Sequence, residues 1–286
     1  MPQTARLDAE LVRRGLARSR RRASELVASG QVNVAGTPAI RPSQQISLGQ
    51  AVEVLGDQDR YVSRAAHKLL GALDAIDRLS PGRLVISGRR CLDVGASTGG
   101  FSQVLLERGA ASVLALDVGH GQLAPGLATD RRLVVREGVN ARDLTLADVG
   151  APMDLVVADL SFISLTLVVG ALLQVTASDG SLLLMVKPQF EVGRDRLGAT
   201  GVVGSAELRE EAVRGVAAAA AERGAAVLGV LPSVLPGPAG NREYFLWLVP
   251  GALAGSTRDA AADAIRRAVR DDEPTLVSKT GTRVRS

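Results

Sequence analysis

Cysteine is almost absent from this chain: Cys91 is the single one, and only two histidines accompany it. Disulfides are therefore excluded, and a structural zinc cage has no adequate donor set. Aromatic residues make up 2% of the sequence, too few to interleave with basic residues as base-stacking platforms. Long apolar runs are missing as well. Residues 165–175 are interrupted by Thr166, Gly170 and Gln174, and the polar residues 1–4 have no apolar segment behind them. Neither a membrane span nor a signal peptide is expected, and the cytoplasm is the default compartment.

What is present is a chain of 286 residues, 46% hydrophobic, enough for a full α/β core and a small appended domain. The charge is unevenly placed. Of the net +4, the whole excess sits in residues 1–64, where ten arginines face six acids. Leu7, Leu11 and Ala17 fall at helical spacing over residues 5–17, and Ser19 reads as the N-cap of a second helix over 20–28 that Gly30 ends. Short alternating strands at 31–34 and 37–40, with more strand-like residues at 46–55, complete a compact unit. Arginine forks crowd its helices, and Arg6, Arg14, Arg18 and Arg20 are its candidate RNA contacts; with no aromatics among them, backbone and shape are the expected targets. A solvated basic face is the plainer alternative.

The stretch Arg-Cys-Leu-Asp-Val-Gly-Ala-Ser-Thr-Gly-Gly-Phe at residues 90–101 reads as a strand, a glycine-rich turn and the start of a helix. It departs from the dinucleotide fingerprint because Ser97 stands where a second glycine would admit a pyrophosphate. A ligand without phosphates fits better. S-adenosylmethionine is one, with Asp93 steadying its cationic end and Gly95, Gly99 and Gly100 allowing close approach. An ordinary glycine-rich turn is the simpler reading of the same residues.

Further strands are expected at 112–116, 133–135, 153–158, 181–186 and 226–231, alternating with helices. Asp117 ends the first of these 24 positions after Asp93, where a βαβ unit places a carboxylate for a ribose diol. Asn140 follows the next strand and could meet an adenine edge. Asp159 and Lys187 close two fully apolar strands at the edge where ligands bind, and Lys187, behind five apolar residues, should be partly desolvated. Lys68 lies on an amphipathic helix over 65–76. Residues 193–204 look like a mobile loop. The connection 232–242 is too short for a parallel crossover, so the last strand at 243–249 must run antiparallel. Residues 255–286 read as a tail with one helix at 259–269 and a disordered end. Domain bounds follow: an RNA-binding domain at 1–59, a linker at 60–64, a catalytic domain at 65–254 and the tail.

Residues 5–54, with Arg6-Leu7-Asp8, Gly15-Leu16-Ala17-Arg18-Ser19-Arg20 and Gly30-Gln31-Val32-Asn33-Val34-Ala35-Gly36, resemble the αL RNA-binding module shared by a small-subunit ribosomal protein and bacterial pseudouridine synthases. Over residues 5–250 the chain resembles the TlyA family of ribosomal RNA ribose methyltransferases. The motifs are Ser63-Arg64-Ala65-Ala66-His67-Lys68-Leu69, Asp93 to Phe101, Asp159-Leu160-Ser161-Phe162-Ile163-Ser164, Val186-Lys187-Pro188-Gln189-Phe190-Glu191 and Gly240-Asn241-Arg242-Glu243-Tyr244-Phe245.

The resemblance implies an α/β, Rossmann-like class I methyltransferase domain with an antiparallel last strand, plus a small N-terminal α+β RNA-binding domain. It also implies a catalytic tetrad like that of the FtsJ-related enzymes, assigned here to Lys68, Asp159, Lys187 and Glu243. Lys187 would be the base, and no metal would be required. S-adenosyl-L-methionine would be held by Asp93, Gly95, Ser97, Gly99, Gly100, Asp117, Asn140 and Asp159; Asn140 stands where relatives often carry aspartate. The implied substrate is a cytidine ribose in small-subunit and, in the fuller-length type, large-subunit ribosomal RNA. A nicotinamide oxidoreductase is disfavoured by Ser97 and the antiparallel strand, while a non-enzymatic RNA-binding or assembly protein would need only the basic module. Relatives labelled haemolysins suggest membrane damage, for which the sequence offers no span.

Overall fold

A computed structural model describes residues 4–17, 19–28, 30–54, 61–198, 201–237, 239–251 and 257–277. Arg18, residues 55–60 with the first residue of the expected linker, two residues of the 193–204 loop, and both the start and the end of the expected tail lie outside these residues. The chain forms two compact units, Met1–Tyr61 and Val62–Ser286.

In the first unit, β1 (Thr4–Arg6) runs directly into α1 (Leu7–Arg13), and α2 (Arg20–Ala28) follows. The first helix is shorter than its apolar spacing suggests because residues 4–6 pair antiparallel with β4. Ser19 Oγ accepts from Arg22 N at 3.1 Å and caps the second helix. Next come β2 (Val32–Val34), β3 (Thr37–Pro38), β4 (Gln45–Ser47) and β5 (Val52–Val54), with β2 between β3 and β5. Leu7, Leu11, Ala23, Leu26, Val32 and Ile46 form the small core.

The second unit begins with α3 (Ala65–Leu79), which buries Ala66, Leu69, Ala72, Leu73 and Ile76. A sheet and its covering helices follow in the order β6 (Arg90–Val94), α4 (Gly100–Glu107), β7 (Ser112–Asp117), β8 (Leu133–Glu137), α5 (Leu146–Val149), β9 (Met153–Ala158), α6 (Val169–Gln174), β10 (Thr176–Val186), α7 (Pro188–Glu191), α8 (Ala206–Ala221), β11 (Ala225–Pro232), β12 (Tyr244–Pro250), α9 (Arg258–Arg270) and β13 (Thr275–Leu276). The strand order is β13-β11-β12-β10-β9-β6-β7-β8. Strands β6 to β10 pair in parallel, and β12 is inserted antiparallel between β10 and β11. The central strands are near-continuous Val, Leu and Ala runs because helices cover both faces of the sheet. At the open edge β8 turns Val134 and Val135 toward solvent.

Residues 257–277, read from sequence as part of a tail, belong to the sheet. Helix α9 packs on β11 and buries Ala264, Ile265, Ala268 and Val269. Strand β13 pairs with Gly229 and Val230. Gly229 allows this, since a Cβ there would lie 2.8 Å from the Leu276 side chain.

Candidate active site

The topology brings the singled-out side chains to one edge of the sheet. From β6 the chain builds outward through β7 and β8, then crosses back to β9 on the other side of β6. Ligands bind at such switch points, outside the carboxyl ends of parallel strands. Asp159 N donates to Val94 O at 3.1 Å across this point. Because β12 runs antiparallel, its beginning lies beside the end of β10, with Val186 paired to Tyr244. One step further along the two chains stand Lys187 and Glu243.

One buried and one part-buried ion pair occupy this corner. Lys187, 8% exposed, holds Nζ 2.7 Å from Asp159 Oδ1 and donates to Ser161 Oγ at 2.9 Å. The contact with Asp159 is close in charge but is not aligned as a hydrogen bond, so this oxygen keeps acceptor capacity. Lys68 pairs with Glu243 Oε2. Lys68 is therefore not on the exposed face that a lone helical lysine suggests: it is 6% exposed, drawn inward by a carboxylate that is itself 2% exposed. Glu243 Oε1 is buried with no hydrogen-bond partner. The four residues of the implied tetrad thus stand just past the ends of β9 and β10, just before β12, and on α3, at one edge.

The glycine-rich turn lies on the other side of the switch point. Asp93 is fully buried; Ser102 Oγ donates to its Oδ2 at 2.7 Å, while Oδ1 has no partner. Burial pushes its carboxyl up to about 7, and the Asp159 and Asp117 charges add to this against the Ser102 hydrogen bonds. Asp117 accepts from Ser97 N and from Gly119 N, each at 2.7 Å. The first bond holds Ser97 in a left-handed conformation, φ +48°.

Three glycines of the turn have reasons within the chain itself; at Gly99, φ is +92° and a Cβ would fall 2.5 Å from the Leu127 side chain. At Gly95, φ is +82° and a Cβ would fall 3.0 Å from the Asp159 carbonyl. At Gly100 a Cβ would collide with Ser63 Oγ, so glycine here lets α4 abut the start of α3. Asn140 spends its side-chain oxygen capping the turn at 141–143, accepting from Arg142 N at 3.1 Å. Its NH2 group and the second lone pair of that oxygen remain to meet an adenine.

Two features here were not singled out from sequence. Phe162 is 91% exposed with φ +66°, and its ring lies 5.2 Å from that of Phe190. Glu191 accepts from Ser164 Oγ at 2.5 Å and from Leu165 N at 2.9 Å. Burial pushes this carboxyl up, opposed by those two hydrogen bonds. An aromatic on a polar loop, in a chain so poor in aromatics, was the available signal for Phe162. Asn241 anchors the expected mobile loop: it accepts from Val203 N at 2.8 Å and donates to Gly201 O at 3.0 Å.

In the first unit three of the candidate RNA-contacting arginines, Arg6, Arg14 and Arg20, are engaged within the chain. Arg6 and Arg20 both reach Asp8 Oδ2, at 2.9 and 3.0 Å. Arg6 before Arg20 holds the Asp8 carboxyl down to about 2. Arg13 and then Arg14 do the same for Glu10. Arg14 also donates to Leu48 O at 2.7 Å and Gln50 O at 2.8 Å, a structural tie between α1 and the loop before β5. Arg6 and Arg20 remain partly exposed.

The family model for FtsJ-like methyltransferases matches residues 61–249, and that for the S4 domain residues 5–52. Over 272 residues the chain is 50% identical to the 16S/23S rRNA (cytidine-2'-O)-methyltransferase TlyA of Mycobacterium tuberculosis, covering 95% of this chain and 99% of the relative. It is 33% identical over 275 residues to YqxC of Bacillus subtilis, covering 96% of each. A solved structure from Streptococcus thermophilus, described as a hemolysin candidate, superposes with a TM-score of 0.70 at 32% identity, over 95% of this chain and 98% of its own.

Fold and site together define a Rossmann-like methyltransferase domain preceded by an S4 domain. More particularly, the chain belongs to the TlyA family of FtsJ-like methyltransferases. Where relatives carry a hemolysin label, it remains that among the described residues no helix is long and apolar enough to cross a membrane.

Proposed function

We propose that this protein transfers a methyl group from S-adenosylmethionine to the ribose 2′-oxygen of a cytidine in small-subunit, and also large-subunit, ribosomal RNA, acting on ribosomal subunits in the cytoplasm. The observation that carries the reading is the juxtaposition of the Lys187–Asp159 and Lys68–Glu243 pairs at the sheet edge. The substrate follows the Mycobacterium tuberculosis relative named for this reaction, half identical over nearly the whole chain.

The residues around the turn fit the cofactor. Asp93 Oδ1 is buried without a partner, an unmet acceptor suited to an ammonium group. Asp117, fixed through both oxygens by backbone N–H groups, keeps lone pairs for a diol. Gly95, Ser97, Gly99 and Gly100 would line the methionine portion and Asn140 the adenine. When bound, S-adenosylmethionine supplies an electrophilic methyl group on a sulfonium.

A ribose hydroxyl is a weak nucleophile and must lose its proton as it attacks. Lys187, as the neutral amine, receives that proton at Nζ, and the ammonium so formed is the one that pairs with Asp159. Asp159 and Ser161 fix the direction of the amine by their contacts at 2.7 and 2.9 Å. Lys68 and Glu243 hold the hydroxyl in line, and their mutual pairing keeps two charges tolerable in a nearly dry corner. Exposed Phe162 offers a face on which the base of the target nucleotide stacks. In the S4 domain, the partly exposed guanidinium groups of Arg6 and Arg20 contact phosphates, and Arg18 is assigned the same role.

The test is transfer of labelled methyl from S-adenosylmethionine to isolated ribosomal subunits, with the modified nucleotide mapped. Label on a cytidine ribose, lost in Lys187→Ala, supports the reading. Label on a base overturns the tetrad assignment. Binding of subunits without transfer would leave an assembly role in its place.

A further inference from the structure

The segments that follow β9 and β10 run in step. Asp159 meets Lys187, Phe162 meets Phe190, and Ser164 with Leu165 meets Glu191. The offset changes where the ladder ends: Ala158 pairs with Leu184, 26 positions on, whereas Asp159 and Phe162 each meet a residue 28 positions on. Past the end of the ladder, however, no backbone bonds hold the two arms together, and side chains must take over.

At the near end that joint is the Lys187–Asp159 pair itself, which is weak while Lys187 is the neutral amine that can take a proton and becomes an ion pair once the proton has arrived. At the far end it is Glu191, the last residue of α7. Its carboxylate takes one hydrogen bond from a side chain and one from a backbone N–H of the opposite arm. Ser164 in turn shares a 2.7 Å hydrogen bond with Thr166 Oγ1, fixing the first turn of the following 3-10 helix.

We propose that Glu191 is a positioning residue for methyl transfer: it clasps the Lys187 arm to the Asp159 arm and holds the amine on line while its own ion pair changes charge. The inference rests on the proposed reaction. Glu191 touches neither Lys187 nor Asp159; it acts through the four-residue helix α7, whose Pro188 stiffens the link to Lys187. Charge-assisted hydrogen bonds to a half-buried carboxylate suit such a joint because they are short and directional.

The experiment compares wild type, Glu191→Ala and Glu191→Gln in labelled methyl transfer to ribosomal subunits, with S-adenosylmethionine affinity and melting temperature measured alongside. The Gln carboxamide can accept from Leu165 N and donate to Ser164 Oγ, so it keeps both bonds. For Glu191→Ala, kcat falls roughly 100-fold, the scale of a misplacement of about 1 Å. KM for the cofactor stays within about threefold. Glu191→Gln recovers most of the rate, and the pH profile of kcat shifts in Ala but not in Gln. Wild-type turnover in Glu191→Ala overturns the inference, as does a loss of rate that tracks loss of folded protein. If wild type itself transfers no methyl, the proposed reaction fails and this inference falls with it.

Discussion

Lys68 and Glu243, 175 positions apart in the chain, meet in an ion pair whose carboxylate side chain is wholly closed to solvent. The pair joins the first helix of the domain to the start of its inserted strand.

Removing one partner strands the other charge. Lys68→Met is expected to lower stability by about 3–5 kcal/mol, whereas Lys68→Met with Glu243→Leu regains most of it. Methyl transfer stays lost in both. Urea melts of the two single variants and the double variant, with activity beside them, check the expectation; additive losses would refute it.

Lys187→Ala should reduce kcat by roughly 100- to 10,000-fold, the range for a general base. Binding of S-adenosylmethionine, measured calorimetrically, should stay near wild type. Equal losses in both would assign Lys187 to the cofactor instead.

Asp93 gives a pH signature. With its carboxyl raised to about 7, the folded protein holds a proton that the unfolded chain has already released. Stability of the ligand-free protein therefore falls as pH rises through the window from the usual carboxylate value to about 7. A cationic ammonium partner favours the carboxylate, so cofactor affinity should rise as pH climbs toward about 7. Asp93→Asn should flatten both curves. An unchanged affinity profile in that variant would remove Asp93 from the ammonium.

The arginines of the S4 domain should divide into two groups. Arg14→Ala should cost about 1–3 kcal/mol through the unsatisfied carbonyls of Leu48 and Gln50, with little change in the salt dependence of RNA binding. Arg20→Ala should leave the melt almost unmoved and lower the slope of log K against log salt by about 0.7–0.9. Filter binding across a salt series, with melts of both variants, separates the two.

Phe162→Ala should weaken subunit methylation by a stacking contribution of about 1–3 kcal/mol while leaving cofactor affinity intact. Rates at subsaturating subunit concentration read it directly, and Phe162→Leu should recover little. A fully active Phe162→Ala would remove the stacking platform.

Much of the catalytic edge could be read from sequence because the signals were local. Apolar strands ended at Asp117, Asp159 and Lys187, and the short connection before residue 243 forced the antiparallel strand. Pairing was not legible. Nothing in the spacing of Asp8 and Glu10 said that they would absorb the arginines around them, since those bonds depend on both acids being buried. The burial of Lys68 was not legible because its partner Glu243 lies 175 positions away in the sequence. Strand β13 was missed because two residues carry no period, and only Gly229 across the ladder makes room for it.

That two-residue strand has a consequence away from the chemistry. Strand β11 is eight residues long and almost wholly buried, and without β13 and α9 its outer row of N–H and C=O groups would be open. An uncovered apolar strand of that length is a template on which a second copy of the chain can add its own. Residues 257–277 thus cap the outer side of β11, at the margin farthest along the strand order from the edge where Asp159 and Lys187 meet.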